Sequence, residues 1–181
     1  EGLNVRLGHE VRKVRWSADD GVRVETSQGT FSAAKAVVTV PVGVLQSDEF
    51  VIEPPLPRKI GNALNGFRMN AFEKVFLRFP HRFWDENVYA TRRQGEAAKW
   101  WHSWYDLTAL HGEPTLLTFA AGPCAVETRG WSDEQITDSV LESLRDLFGE
   151  EIPHPSGIRV TRWQDDPFTR GSYAYMTVGS H

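Results

Sequence analysis

The stretch AFEKVFLRFP, residues 71–80, decides how we expect this chain to fold. Phe72 and Phe76 fall in one set of alternating positions, and Val75 and Leu77 fall in the other. Such alternation predicts a β-strand that is buried on at least one face. Lys74 lies between the two phenylalanines, so its charge would stand on an otherwise apolar face.

The position of Lys74 has two interpretations. Burying an ammonium group costs free energy unless the group is paired, hydrated or changes its protonation. In the structural interpretation, Lys74 reaches solvent at a strand end or pairs with Glu73 or Asp85. In the functional interpretation, it points into a cavity, where it holds a water molecule or a substrate. The strand by itself favours the structural interpretation.

The rest of the chain predicts further strands and two helices. Short strands are expected within residues 3–40, with a turn at DDG (19–21), and the apolar run at 35–40 predicts a strand buried on both faces. Helices are predicted at 57–67, where Pro57 suits the first turn, and at 132–148, where Ser132 and Gln135 have capping-box spacing. Other strands are expected at about 71–79, 88–92, 99–106, 115–121 and 157–163.

These elements predict an α/β (α+β) fold. We expect a mixed β-sheet of about five or more strands, from 70 to 121 and from 157 to 163, covered on one face by the two predicted helices. The strands before residue 40 would form a small separate layer. The segment KWWHSWYDL (99–107) could be an aromatic binding surface, but its alternation favours a sheet packed under helices.

Composition and charge exclude several classes of protein. The 181 residues are 40% hydrophobic and carry a net charge of −4, which is ordinary for a globular chain. No basic run is long enough to predict a nucleic-acid or membrane partner. Cys124 is the single cysteine, so an internal disulfide is impossible, which is compatible with a cytoplasmic location.

Nucleotide and metal motifs are also missing from the sequence. It has no GxGxxG loop, and GNALNG (61–66) is followed by Phe67 and Arg68 rather than by Lys and Ser or Thr. The six histidines lack the spacing of metal ligands, so we predict no metal site.

Four segments in one order resemble the flavin-containing amine oxidases, with polyamine oxidases and lysine-specific histone demethylases as the most similar branch. They are VVTVPVGVL (37–45), IEPPLPRKIGNAL (52–64), EKVFLRFPHRFWD (73–85) and WQDDPFTRGSYAY (163–175). The resemblance covers nearly the whole chain. The catalytic region of that family is longer and includes a GxGxxG segment, so we interpret this chain as part of a longer protein.

The resemblance implies roles for several residues around an amine and a flavin. Lys74 is similar to the family lysine that holds a water against flavin N5, which would explain a charge in an apolar strand. Trp163 matches an aromatic residue packed near the flavin ring. Tyr173 matches one wall of an aromatic cage for a neutral amine. Phe168 stands at a cage position where relatives often have Trp or Tyr.

Other positions imply contacts with the cofactor. Val11 matches a valine whose backbone lies near the adenine, and Thr39, Val40 and Pro41 match a turn that passes the cofactor. Ser172 stands where animal monoamine oxidases carry a cysteine that is bonded to the flavin. A serine cannot form that thioether, so the resemblance implies non-covalent FAD.

The implied reaction is oxidation of an amine to an imine by hydride transfer to flavin N5, with release of hydrogen peroxide. The implied partners are a small-molecule amine and oxygen. Residues 1–46 would belong to an incomplete FAD-binding domain, 47–162 to a substrate-binding domain, and 163–181 to a return segment to the FAD-binding domain. We expect the 181-residue chain by itself to hold no flavin and to oxidise nothing.

Two other interpretations stay open. One is a related flavoprotein dehydrogenase or desaturase, of the carotenoid or porphyrinogen type, although the Lys74 segment and RGSY (170–173) argue against it. The other is a binding module without catalysis, which the absence of a nucleotide loop favours. The identity of the amine and the oligomeric state do not follow from the sequence.

Overall fold

The computed structural model describes residues 2–180, and for Ala97 it describes the backbone alone. Its helices and strands are numbered here in chain order. The strands are β1 Val11–Ser17, β2 Gly21–Thr26, β3 Gly29–Ala33, β4 Val51–Glu53, β5 Phe67–Asn70, β6 Phe72–Arg78, β7 Ala90–Arg92, β8 Ser103–Asp106, β9 Thr115–Ala121, β10 Gly157–Val160 and β11 Tyr173–Met176. The α-helices are α1 Val42–Leu45, α2 Arg58–Asn65, α3 Thr108–His111, α4 Pro123–Thr128 and α5 Asp133–Phe148, and Glu96–Lys99 form a 3₁₀ turn.

The chain divides into two compact units. Unit 1 comprises residues 2–69, 167–170 and 174–180, and unit 2 comprises residues 70–166 and 171–173. The predicted domain limit after residue 46 does not coincide with this division. Residues 47–69 stay in unit 1 because β4 pairs in parallel with β1, from Lys13 opposite Val51 to Arg15 opposite Glu53.

Unit 1 contains a four-stranded sheet in the order β3-β2-β1-β4. The neighbours β1-β2 and β2-β3 are antiparallel, as expected for strands joined by short turns. The turn predicted at residues 19–21 is present and ends at Gly21, whose φ is +77°. A Cβ at this position would lie 2.6 Å from the Ala33 carbonyl oxygen, so glycine is required there.

The prediction of a buried strand at residues 35–40 is wrong. This segment forms no strand and pairs with no strand among residues 2–180, and Val37 is 90% exposed. An apolar run predicts burial only when a partner strand and a covering layer are available to it. The segment ends at Pro41, which caps the N-terminus of α1.

Unit 2 contains a five-stranded sheet in the order β10-β6-β9-β8-β7. All four of its pairings are antiparallel, so the prediction of a mixed sheet is wrong for this unit. The strand predicted at 157–163 ends at Val160. The helix predicted at 57–67 is α2, which belongs to unit 1.

Helices α4 and α5 cover one face of this sheet, which we call the covered face. It carries Val75, Leu77, Trp104, Leu116, Thr118 and Ala120, and the helices contribute Ala125, Ile136, Val140, Leu141 and Leu144 to the same buried core. Helix α5 begins as predicted: Gln135 N donates to Ser132 Oγ, and Ser132 N donates to Gln135 Oε1. It ends at Gly149, whose N–H donates to the Arg145 carbonyl.

The three tryptophans of the segment at 99–107 pack in or against this core, which confirms the interpretation of the segment as packing under helices. Trp101 and Trp104 are 2% and 1% exposed, and the ring of Trp100 stacks on that of Trp131 with centroids 5.1 Å apart.

The remaining strands, β5 and β11, pair in a two-stranded sheet. Among residues 2–180, no helix is both long enough and apolar enough to cross a membrane.

Candidate functional site

Lys74 lies in the middle of β6, on the face opposite the helices. It shares this face with Phe72 and Phe76 and stands directly opposite Phe119 of β9. Lys74 is half-buried rather than buried, because no helix layer of unit 2 is packed at its position. Its side chain can therefore keep water at the ammonium group while its stem contacts apolar neighbours.

Neither predicted partner of Lys74 pairs with it. Glu73 is directed to the covered face, since neighbouring residues of a strand point to opposite sides. Asp85 instead accepts hydrogen bonds from Asn87 N and Nδ2, which lower its pKa. Within residues 2–180, the Lys74 ammonium makes no ion pair and no hydrogen bond.

The face that carries Lys74 is lined by aromatic rings, and we call it the aromatic face. Phe72 lies 4.9 Å from Phe119 and 5.6 Å from Tyr173 between ring centroids. Tyr105 of β8 continues the row at 5.5 Å from Phe119. The strand registers place these rings on one side of the sheet, where they form an apolar wall beside the ammonium group of Lys74.

Glu73 anchors the segment that contains Trp163. Its side chain accepts hydrogen bonds from Thr161 Oγ1 at 2.6 Å, from Trp163 N at 3.1 Å, and from Gln164 N and Nε2 at 3.2 and 3.3 Å. Glu73 is only 4% exposed, and a buried carboxylate is tolerated when several donors satisfy it. The backbone at Trp163 is thereby fixed to β6.

The same segment is joined to the backbone of Lys74. Thr161 N donates to the Lys74 carbonyl at 2.9 Å, and Lys74 N donates to Thr161 Oγ1 at 2.8 Å. A side-chain oxygen has replaced the backbone acceptor at this point, so the chain leaves the ladder after Val160. This explains why β10 is shorter than predicted.

Ser172 anchors a second segment to the same end of β6. Its Oγ donates to the Phe72 carbonyl at 2.6 Å and accepts from Phe72 N at 3.1 Å, while Ser172 N donates to the Asn70 carbonyl at 3.0 Å. The Ser172 hydroxyl thus bonds both the N–H and the carbonyl of Phe72, as a neighbouring strand would. This attachment brings the ring of Tyr173 against Phe72.

The structure therefore gathers four predicted site residues around the first half of β6: Lys74, Trp163, Ser172 and Tyr173. The other five lie in unit 1: Val11, Thr39, Val40, Pro41 and Phe168. Val11 begins β1 opposite Thr26. Thr39 is exposed and Val40 is half-buried in the segment before α1, and Phe168 is 62% exposed.

Glu73 is the site residue that sequence reasoning missed. A signal was available, because alternation places its carboxylate on the same side as Val75 and Leu77. A charge in that position needs donors, and their source could not be read from the sequence. The donors come from residues 88 to 91 positions further along the chain.

Comparison with known proteins identifies the family of this chain. The family model described as "Flavin containing amine oxidoreductase" matches residues 1–181. The chain is 34% identical over 187 residues to human lysine-specific histone demethylase 2, covering 99% of this chain and 23% of that protein. It is 32% identical over 180 residues to polyamine oxidase 4 of Oryza sativa subsp. japonica, covering 99% and 36%.

Solved structures share the fold. A putrescine oxidase with bound putrescine matches with a TM-score of 0.83 and 24% identity, over 99% of this chain and 40% of that one. Cyclohexylamine oxidase from Brevibacterium oxydans matches with a TM-score of 0.76 and 22% identity, over 94% and 37%.

The chain belongs to the flavin-containing amine oxidoreductase family. Its similarity to demethylases and polyamine oxidases confirms the resemblance that the four sequence segments indicated. The chain spans about a quarter to a third of the length of these two relatives.

Proposed function

We propose that the protein containing this chain oxidises an amine to an imine with non-covalently bound FAD and reduces oxygen to hydrogen peroxide. In balanced form, R–CH₂–NH₂ and O₂ give R–CH=NH and H₂O₂. The observation that carries the proposal is an unpaired Lys74 ammonium on an aromatic face, in a chain of this family. The relatives named above act on histone lysines and polyamines, which are amines as well.

The residues of this chain fit a flavin. The Lys74 ammonium is available as a donor beside the rings of Phe72, Phe119 and Tyr173, and such a donor suits a planar acceptor ring that gains negative charge. When bound, the flavin supplies the two-electron acceptor that none of the side chains can provide. Thr39 and Val40 lie in a segment without a strand partner, so their peptide groups are available to a ligand.

Lys74 has a positioning and electrostatic role in this proposal. Its ammonium holds a water molecule against the reacting region and stabilises negative charge that develops there. Trp163 and Tyr173, which are 38% and 57% exposed, offer aromatic surface to the amine, and desolvation of the amine against this surface favours its neutral form. The Glu73 and Ser172 anchors hold these two aromatic residues, so binding does not have to order them.

Ser172 supports the non-covalent attachment of FAD. Its hydroxyl donates a hydrogen bond to the Phe72 carbonyl and accepts one from Phe72 N. A serine oxygen in this arrangement has a structural role in joining two segments. We further propose that unit 2 provides the substrate surface and that Val11, Thr39, Val40, Pro41 and Phe168 of unit 1 contribute to the flavin and cage contacts.

The test is a redox assay on the full-length protein. Primary and secondary amines are expected to reduce the bound flavin without oxygen, and to give one hydrogen peroxide for each amine oxidised when oxygen is present. Extraction with denaturant should release the flavin intact, because no covalent bond holds it. A bound flavin that polyunsaturated lipids reduce and amines do not would overturn the proposal in favour of a desaturase.

A further inference from the structure

A recess of about 680 Å³ lies on unit 2 at the far end of β6 from the anchors. It is lined among others by Phe76, Arg78, His111, Glu113, Ser156 and Arg159. Phe76 is two residues from Lys74 on the same face, so the recess continues the aromatic face along the strand. Its volume is in the range of sites that hold small molecules.

Arg159 is the uncompensated charge of this recess. It is exposed and makes no ion pair or hydrogen bond through its side chain with any described residue. Arg78 and Glu113 are also present, but they form an ion pair at 2.6 Å and cancel each other. The two arginines and one glutamate therefore leave the lining with a net positive charge.

Arg159 and Lys74 share one face of the sheet. Arg159 is directly opposite Phe76 in the register of β10 and β6, which makes it a diagonal neighbour of Lys74. Diagonal positions lie about 7–8 Å apart, within reach of long side chains. A substrate that places its amine near Lys74 can therefore reach Arg159 with its other end.

Every charged residue that the described strands direct to the aromatic face is basic, while Glu113 of the recess is paired with Arg78. The charged residues that strands β6, β7 and β10 direct to it are Lys74, Arg78, Arg92 and Arg159, all basic. The two acidic strand residues, Glu73 and Asp106, are directed to the covered face. A substrate with a second ammonium group would meet repulsion here, and one with an anionic group would meet attraction.

We propose that this recess is a subsite for a carboxylate at the far end of the amine substrate. The proposal rests on the amine oxidation described above and narrows its substrate class to aminocarboxylates. The planar guanidinium of Arg159 can donate two parallel hydrogen bonds to a carboxylate. The stem of such a substrate would pack along Phe76.

The experiment compares three substrates of equal chain length on the full-length protein: hexylamine, hexamethylenediamine and ε-aminocaproate. We expect kcat/KM for ε-aminocaproate to exceed that for hexylamine by about tenfold, the effect of one charge-assisted hydrogen bond. Hexamethylenediamine should have the lowest kcat/KM of the three substrates. Raising the salt concentration should reduce these differences.

Variants test whether Arg159 is responsible. Arg159→Gln should lower kcat/KM for ε-aminocaproate by about tenfold and leave that for hexylamine unchanged, whereas Arg159→Lys should keep most of the preference. Arg92→Gln is the matched control, because Arg92 is an exposed, unpaired arginine on the same face at the opposite edge strand. Arg92→Gln should leave kcat/KM unchanged for all three substrates.

Binding of hexanoate, measured by calorimetry, separates this proposal from the proposed function. A preference for hexamethylenediamine, or an Arg159→Gln effect that is equal for all three substrates, would overturn the carboxylate subsite. If no amine is oxidised while hexanoate binds and Arg159→Gln weakens that binding, the subsite stands and amine oxidation fails. If hexanoate binding is absent or indifferent to Arg159→Gln, the subsite fails.

Discussion

The two faces of the five-stranded sheet use the same strands for opposite purposes. On the covered face, Val75, Leu77 and Thr118 are completely buried. On the aromatic face, Phe72, Lys74 and Phe76 of the same strand are half-buried and leave an ammonium without a partner. Alternation in β6 therefore separates residues that stabilise the fold from residues that are available to a ligand.

Charges follow the same division. The acids on the covered face are saturated: Glu73 accepts bonds from the 161–164 segment, and Asp106 accepts from Thr108 and pairs with Arg82 at 2.7 Å. The cations Lys74, Arg92 and Arg159 on the aromatic face have no such partners among residues 2–180. A charge that folding does not compensate costs little when it is solvated, and it can act on a ligand. The comparison predicts that changes on the two faces affect different measurements.

The largest expected effect is on the covered face. Leu144→Ala in α5 should lower the free energy of unfolding by about 3–5 kcal/mol, because Leu144 is completely buried and its removal leaves a cavity. Urea denaturation of the full-length protein measures this change. At temperatures where the variant is folded, its rate of flavin reduction should equal that of the wild type. A slower reduction step with unchanged stability would contradict the separation of the faces.

Lys74→Met tests the aromatic face with a side chain of similar length and no charge. Loss of one preorganised donor should slow flavin reduction or reoxidation about 10²-fold, equivalent to about 2.7 kcal/mol. Stopped-flow absorbance measures both steps, and flavin content should not change. Arg92→Met, an equivalent change at the far edge of the same face, should have no effect. Wild-type rates in Lys74→Met would remove this residue from the mechanism.

Glu73→Gln tests whether a covered-face residue positions the site. An amide group would face the N–H groups of Trp163 and Gln164, and we expect a loss of about 2 kcal/mol in stability. Hydrogen exchange at these two amides should become faster, which a purely global effect would not single out. Glu86→Gln, where the carboxylate is 76% exposed, is the control and should change neither quantity. If both amides are protected as well in Glu73→Gln as in the wild type, Glu73 does not anchor the segment that contains Trp163.

The smallest effect concerns Asp106 and pH. Burial alone would raise its pKa, but hydrogen bonds from Thr108 and the charge of Arg82 outweigh burial and lower it. A lowered pKa in the folded state stabilises the protein above the unfolded value of about 4, and this contribution is lost as pH falls through the folded value. Asp106→Asn should therefore cost about 1 kcal/mol at neutral pH and progressively less below pH of about 4.

Urea denaturation at several pH values measures the Asp106 contribution. Asp165→Asn is a suitable control, because its ion pair with Arg129 is largely exposed and such pairs contribute about 0–1 kcal/mol. A cost of Asp106→Asn that grows as pH falls would have the wrong sign for a carboxylate with a lowered pKa.

Local signals predicted some elements closely. The capping box of Ser132 and Gln135 and the terminal Gly149 define α5, and every interaction involved lies within one helical turn. The alternation in β6 correctly separated Phe72, Lys74 and Phe76 from Val75 and Leu77. The four motif segments indicated the family, which the comparisons confirm.

Predictions that needed a partner elsewhere in the chain were less successful. The apolar run at 35–40 predicted a buried strand, yet Val37 is almost fully exposed because the segment pairs with no described strand. The strand at 157–163 was predicted too long because the Thr161 side chain takes over the bond to Lys74. The roles of the predicted site residues stay predictions until the variants above are measured.

The sequence by itself determined the strand that carries Lys74, the side of that strand on which the charge stands, and the family to which the chain belongs. Periodicity and motifs are local properties, so they can be read without coordinates. Only the tertiary structure decided that Glu73 and Ser172 attach the Trp163 and Tyr173 segments to β6, and that Arg159 stands beside Lys74. Those contacts join residues far apart in the chain, and their hydrogen-bond geometry exists only once the strands have paired.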